Sequence, residues 1–132
     1  MNKMLIEYGD IDFDKDVEDL KAMPKGDYNL SVYTHTLKLK NDDPKRPFID
    51  WEFLVISGKY KGRKLHHNTS LQNKSLPFLK RFLKTVGYTW GKRFNPNEHC
   101  PDVYGCEVIG RIDVRMFEGE ERNNITGFVP IQ

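Results

Sequence analysis

The spacing of apolar residues changes twice along this chain, and those changes leave few folds open. From residue 28 to residue 70 apolar and polar side chains alternate for long stretches, the two-residue repeat of a strand with one buried face. Between 75 and 86 the repeat lengthens. Leu76, Leu79, Phe82, Leu83 and Val86 form the single stripe of an amphipathic helix, with Pro77 in its first turn, Ser75 as the expected N-cap and Gly87 as the expected stop. From 105 to 130 alternation returns.

Within the first block, Pro24-Lys25-Gly26-Asp27 breaks the chain and opens the folded body. Tyr28, Leu30 and Val32 then share one parity, and Leu37 and Leu39 share the other. Such a flip inside one strand predicts a β-bulge, which bends a strand around a curved sheet. A second strand over 48–57 puts Ile49, Trp51, Phe53 and Val55 on its inner face, so Trp51 reads as core. A third over 63–70 puts Leu65, His67 and Thr69 inside. After the helix, residues 88–104 read as an irregular loop. A fourth strand over 105–117 sets Cys106, Val108, Ile112, Val114 and Met116 against Glu107, Ile109, Arg111, Asp113, Arg115 and Phe117. Gly110 falls on the inner parity, where a bend is expected. Glu118 to Glu121 is the expected turn and 123–130 the closing strand. The order β-β-β-α-β-β is that of the OB-fold, a five-stranded Greek-key barrel with one helix. The expected division is an acidic N-terminal extension over 1–23 and an OB-fold domain over 24–132.

With 132 residues, 38% of them hydrophobic and 30% charged, the chain is long enough for one core without disulfides or metals. No apolar run reaches membrane-spanning length and the N-terminus lacks a signal-peptide core, so a cytoplasmic protein with no membrane partner is expected. Cys100 and Cys106 then read as reduced thiols. The net charge of +2 hides an asymmetry: residues 7–19 hold seven acids and one lysine, so the remainder is basic. In the extension, Ile11, Phe13, Val17 and Leu20 are the apolar residues that would clamp a short helix or arm onto the body. A basic body fits a polyanion, most commonly nucleic acid.

Enzymatic signatures are lacking. The chain contains no Gly-rich phosphate loop, no GxSxG and no HExxH, so no catalytic residue and no cofactor is expected. His66-His67 and His99-Cys100 with Cys106 are the nearest approach to a metal set. Neighbouring strand residues point to opposite faces, however, and the cysteine spacing is not that of a zinc ribbon, so no metal is expected.

Single-strand binding needs cations along a backbone path and flat rings for bases. The expected outer parity carries Tyr33 and His35, Lys64 and His66, then Arg111, Arg115 and Phe117. The loops add Lys38, Lys45, Arg46 with Phe48, Tyr60 between Lys59 and Lys61, Trp90 and Arg93 with Phe94, and Arg122. Two of these rings have a second reading: Tyr60 as a cap on its turn and Trp90 as packing against the preceding helix. Lys80, Arg81 and Lys84 read as a solvated helix face. Arg111, Arg115 and Phe117 are the strongest candidates, because the other face of their strand reads as core.

Several segments together resemble a known family. They are Ile11-Asp12-Phe13-Asp14, Met23-Pro24-Lys25-Gly26-Asp27-Tyr28, Trp51-Glu52-Phe53, Gly58-Lys59-Tyr60-Lys61-Gly62-Arg63-Lys64-Leu65 and Asn123-Asn124-Ile125-Thr126-Gly127-Phe128. They are similar to small phage proteins first catalogued as a domain of unknown function and since read as OB-fold single-stranded DNA-binding proteins. The resemblance implies a sequence-tolerant single-stranded DNA binder in phage DNA replication or recombination. It would work in the cytoplasm of the infected bacterium, with phage replication or recombination proteins as partners. The alternative is an OB-fold module that binds a host or phage protein. Competition between acidic residues 7–19 and DNA for the basic face is a further expectation.

Overall fold

The computed structural model describes residues 21–131. Expectations for residues 1–20, including a clamp by Ile11, Phe13, Val17 and Leu20 and a regulatory role for the acidic run, lie outside the described residues.

Five strands form one antiparallel sheet: β1 Gly26–Leu39, β2 Pro47–Val55, β3 Lys64–Ser70, β4 Glu107–Phe117 and β5 Glu120–Pro130. Their spatial order is β3-β2-β1-β4-β5. The long strand β1 is shared. Its first half pairs with β4, from Gly26 opposite Ile112 to Ser31 opposite Glu107. It pairs with β2 from Leu30 opposite Val55 to Leu39 opposite Pro47. The ladders leave β3 and β5 as the two edges, so the pairing describes a curled sheet, not a closed cylinder.

The bulge expected in β1 is present. The register shifts between Val32 and Thr34, leaving Tyr33 as the extra residue. A second shift falls in the β4–β5 ladder after Arg111, where Thr126 is the residue passed over. Both shifts increase curvature. Gly110 serves the same bend. A Cβ there would lie 2.4 Å from Leu30 Cδ1, so only glycine lets the two strands close at this point.

The inner face is a continuous core. Leu30, Ile49, Trp51, Phe53, Val108 and Ile112 are all essentially inaccessible. Met23 is also fully buried, although the expected domain boundary placed it in the extension. The Asn123 side chain holds it in the manner of a strand partner, accepting from Met23 N–H at 2.8 Å and donating to Met23 C=O at 2.9 Å.

The helix α1, Leu76–Thr85, covers the core with Leu79, Phe82 and Leu83. Its start differs from expectation. Ser75 makes no side-chain cap; instead a 3-10 turn over Asn73–Ser75 runs into the helix. Its end is as expected. Gly87 adopts φ +85°, its N–H reaches the Lys84 carbonyl, and Tyr88 N–H reaches that of Leu83. This pair of bonds satisfies the last carbonyls of the helix.

The stretch 88–104 is more ordered than an irregular loop. It contains α2, Pro96–His99, followed by a 3-10 turn over Cys100–Val103. Asn95 caps α2 by accepting from Asn97 N–H, and Cys100 and Val103 are fully buried. The tip of the β4–β5 hairpin corrects two further expectations. The turn is only Glu118-Gly119, both at positive φ, so Arg122 lies within β5 and not in a loop. Met116 is not core but 65% exposed, because the hairpin projects past the end of the sheet's buried face.

Candidate nucleic-acid interface

Across β1, β2 and β3 the outer face is read directly from the register. Thr34, Glu52 and His66 form one row; Thr36, Asp50 and Asn68 the next; Lys38, Phe48 and Ser70 the third. Tyr33, pushed out by the bulge, is 49% exposed, and Lys64 Nζ lies 5.5 Å from its ring centroid. Phe48 is half-buried. Two carboxylates stand in the middle of this face. Asp50 binds Lys38 Nζ at 2.9 Å and His66 Nδ1 at 3.1 Å, and Glu52 lies 3.5 Å from His66 Nε2. Burial pushes the Asp50 carboxyl up, but the hydrogen bonds and charges of Lys38 and His66 outweigh it and hold the group below its ordinary value.

His35 is not on this face. The bulge at Tyr33 reverses the parity of everything after it, so His35 stands opposite Trp51 on the inner side. Its ring lies 6.0 Å from Trp51, its Nδ1 bonds the Tyr104 hydroxyl, and burial lowers its pKa. That position corrects its expected role as an outward contact.

The strongest candidates do face outward. Arg111, Arg115 and Phe117 are exposed along one side of β4, and Phe117 is 54% accessible. Arg115 pairs with Arg122 across the hairpin, and the Arg122 guanidinium sits 4.9 Å from the Phe117 ring centroid. Glu120 lies 3.8 Å from Arg122.

Two connections carry the remaining cations. In the β1–β2 connection, Asn41 and Asp42 adopt left-handed backbone, and bonds from Lys40 N–H to Arg46 C=O and from Arg46 N–H to Asp43 C=O close the loop. This leaves Lys45 exposed and Arg46 half-buried. In the β2–β3 turn, Lys59 Nζ is 5.5 Å from the Tyr60 ring centroid. Tyr60 also meets Tyr28 edge-on at 6.0 Å, so it is both a cap on the turn and half of a cation–ring pair.

Trp90 is half-buried against the edge of the core. It stacks on Tyr88 and lines a groove with α1; Arg93 is exposed in the same segment. Cys100 and Cys106 are free thiols, and burial pushes Cys100 up to about 12. Among the described residues, no group of three or more His, Cys, Asp or Glu side chains is placed to hold a metal ion.

Sequence reasoning missed one feature that a charge count would have found. Residues 53–97 contain ten lysines and arginines and not a single acid. This stretch runs through the β2–β3 turn, β3, α1 and the segment after it. On α1 it presents Phe78, 64% exposed, with the Arg81 guanidinium 5.7 Å from its ring centroid.

The architecture is that of a small antiparallel β protein with one helix against the core and cation–ring pairs on its exterior. The chain belongs to the family described as a protein of unknown function, DUF669, whose match spans residues 11–132. No curated protein matches it.

Proposed function

We propose that this protein is a sequence-tolerant binder of single-stranded DNA, built on an open OB-type barrel and acting in phage DNA replication or recombination. The partly open barrel is supported by the strand order, by two bulges and Gly110 bending the sheet, and by a helix between the third and fourth strands.

The observation that carries the binding reading is the repeated pairing of a cation with a ring: Lys64 with Tyr33 and Arg122 with Phe117 on the strands, and Lys59 with Tyr60 in the β2–β3 turn. Each pair offers a π-face to a base and a positive charge to a neighbouring phosphate, the two requirements of single-strand binding. The acid-free stretch 53–97 adds a favourable field around Lys59, Tyr60 and Lys64. The setting in phage replication, in an infected bacterial cell, rests on the resemblance of the Gly58–Leu65 turn and the closing strand to phage single-strand binders.

The test is anisotropy of a labelled oligo-dT across a salt series, with duplex DNA and RNA as comparisons. Single-stranded DNA is expected to bind more tightly than duplex, with a log–log salt slope that becomes shallower by about 0.7 per lost phosphate contact in Lys64→Ala and in Arg115→Ala. Absence of binding to oligo-dT at low salt would refute the reading.

A further inference from the structure

A groove of about 710 Å³ lies between α1 and the segment that follows it. Its two walls differ in chemistry. Leu76, Leu79 and Leu83 of α1 make one, with Lys80 among them; Trp90 and Phe94 make the other. The aromatic wall is braced. Tyr88 stacks on Trp90 and meets Phe94 edge-on, and Phe94 packs on His99. His99 Nδ1 in turn accepts from Asn95 N–H at 2.7 Å. The Tyr88 N–H bond to the Leu83 carbonyl ties this wall to the end of α1. These contacts position the aromatic wall beside α1, and the volume between them is that of an ordinary ligand site.

Its lining is predominantly apolar, which suits large apolar side chains. The leucine wall accepts aliphatic and aromatic side chains, and the rings of Trp90 and Phe94 give a flat surface opposite it. The rim selects for negative charge. Lys80 lines the groove; Lys84 on α1, Lys74 in the turn before it, and Lys92 and Arg93 in the segment after it are exposed, with Glu98 the nearest acid in that segment. The groove thus sits within the acid-free stretch 53–97. Leu76 at the mouth is 41% exposed.

We propose that this groove is a docking site for a partner protein's peptide segment that carries two or three large apolar anchors among acidic residues. The anchors fill the cleft between the leucines and Trp90 and Phe94, and the acids meet the lysine-rich rim. This mode resembles recognition of an amphipathic segment in an apolar groove, with the charge around it setting the partner. None of the groove's lining residues belongs to the cation–ring pairs of the sheet, so the proposal goes beyond the nucleic-acid reading and does not depend on it.

The experiment is selection of a displayed random-peptide library against the full chain, followed by titration of the enriched peptides. Enrichment of sequences with large apolar residues flanked by Asp or Glu is expected. Leu76→Glu, which puts a carboxylate at the mouth, should weaken those peptides by roughly tenfold or more. Lys80→Glu, on the exposed side of α1, should weaken them by about two- to fivefold, more at low salt. Both variants should keep the thermal transition of the parent and, at high salt where the added charge is screened, its oligo-dT affinity. Three results would each overturn the proposal: no enrichment, enriched peptides without acids, or enriched peptides indifferent to both substitutions. Displacement of the peptides by oligo-dT, with Leu76→Glu weakening oligo-dT itself, would assign the groove to the nucleic acid and overturn it equally.

Discussion

The ring of His67 on β3 meets the ring of Phe128 on β5 edge-on, with centroids 4.9 Å apart. These strands are the two edges of the sheet, so the contact marks where the curled sheet brings its ends together over Phe82 of α1, which touches both rings. The imidazole is held there by shape, and burial lowers its pKa.

That burial has a consequence for pH. The unfolded chain protonates His67 near 6.5, whereas the folded protein resists doing so; stability is full above that value and falls as pH drops below it. His35 contributes in the same direction. Replacing His67 with phenylalanine should keep the ring contacts and flatten the decline between pH 7 and 5, by at most about 1.4 kcal/mol per pH unit. Urea melts at several pH values measure it, and an unchanged slope would contradict the assignment.

Trp51 is the largest fully buried side chain, and its indole N–H donates to Thr69 Oγ1 at 2.9 Å. Thr69→Val preserves shape but leaves that donor unsatisfied in the core. A loss of about 1–3 kcal/mol is expected from chemical denaturation.

Gly110→Ala tests the bend. The added methyl would meet Leu30 Cδ1 at 2.4 Å and Cγ at 3.2 Å, and Leu30 is fully buried, so the core must shift to admit it. Overpacking should cost about 1–3 kcal/mol, read as a lower urea midpoint.

Asn123→Ala removes both bonds that anchor Met23. Faster hydrogen exchange at the Met23 amide and readier tryptic cleavage after Lys21 and Lys25 are expected, with a stability loss of about 1–3 kcal/mol. Unaltered exchange at Met23 would show that its apolar burial alone holds it.

Asp50 sits among the cations of the outer face and binds two of them. On the single-strand-binding reading, Asp50→Asn frees Lys38 and removes a negative charge from the phosphate path. Affinity for oligo-dT should rise several-fold at low salt and converge with the parent at high salt. Weaker binding would mean that Asp50 serves by positioning Lys38. The pairing also depends on ionisation: the stability it contributes is present above about 3.8 and is lost as pH falls through the lower folded value.

Much of the fold was legible in the sequence, because local periodicity reports burial directly. Ile49, Trp51, Phe53 and Val55 alternate with half-buried residues, as their spacing requires. The stripe on α1, the stop at Gly87, the bulge in β1 and the bend at Gly110 follow from residue type and parity alone. The outward direction of Arg111, Arg115 and Phe117 follows from the same rule applied to β4.

What the tertiary structure decided lies wherever register or distant packing overrides local pattern. One extra residue at Tyr33 turns His35 inward, since each one-residue slip exchanges the faces of a strand. Met116 keeps the inner parity yet meets solvent, because burial depends on how far the neighbouring strands extend. The groove beside Trp90 joins residues from 71 to 96, which no periodicity connects. Alternation fixes which way a side chain points relative to its own strand; only the assembled sheet and helix fix what it points at.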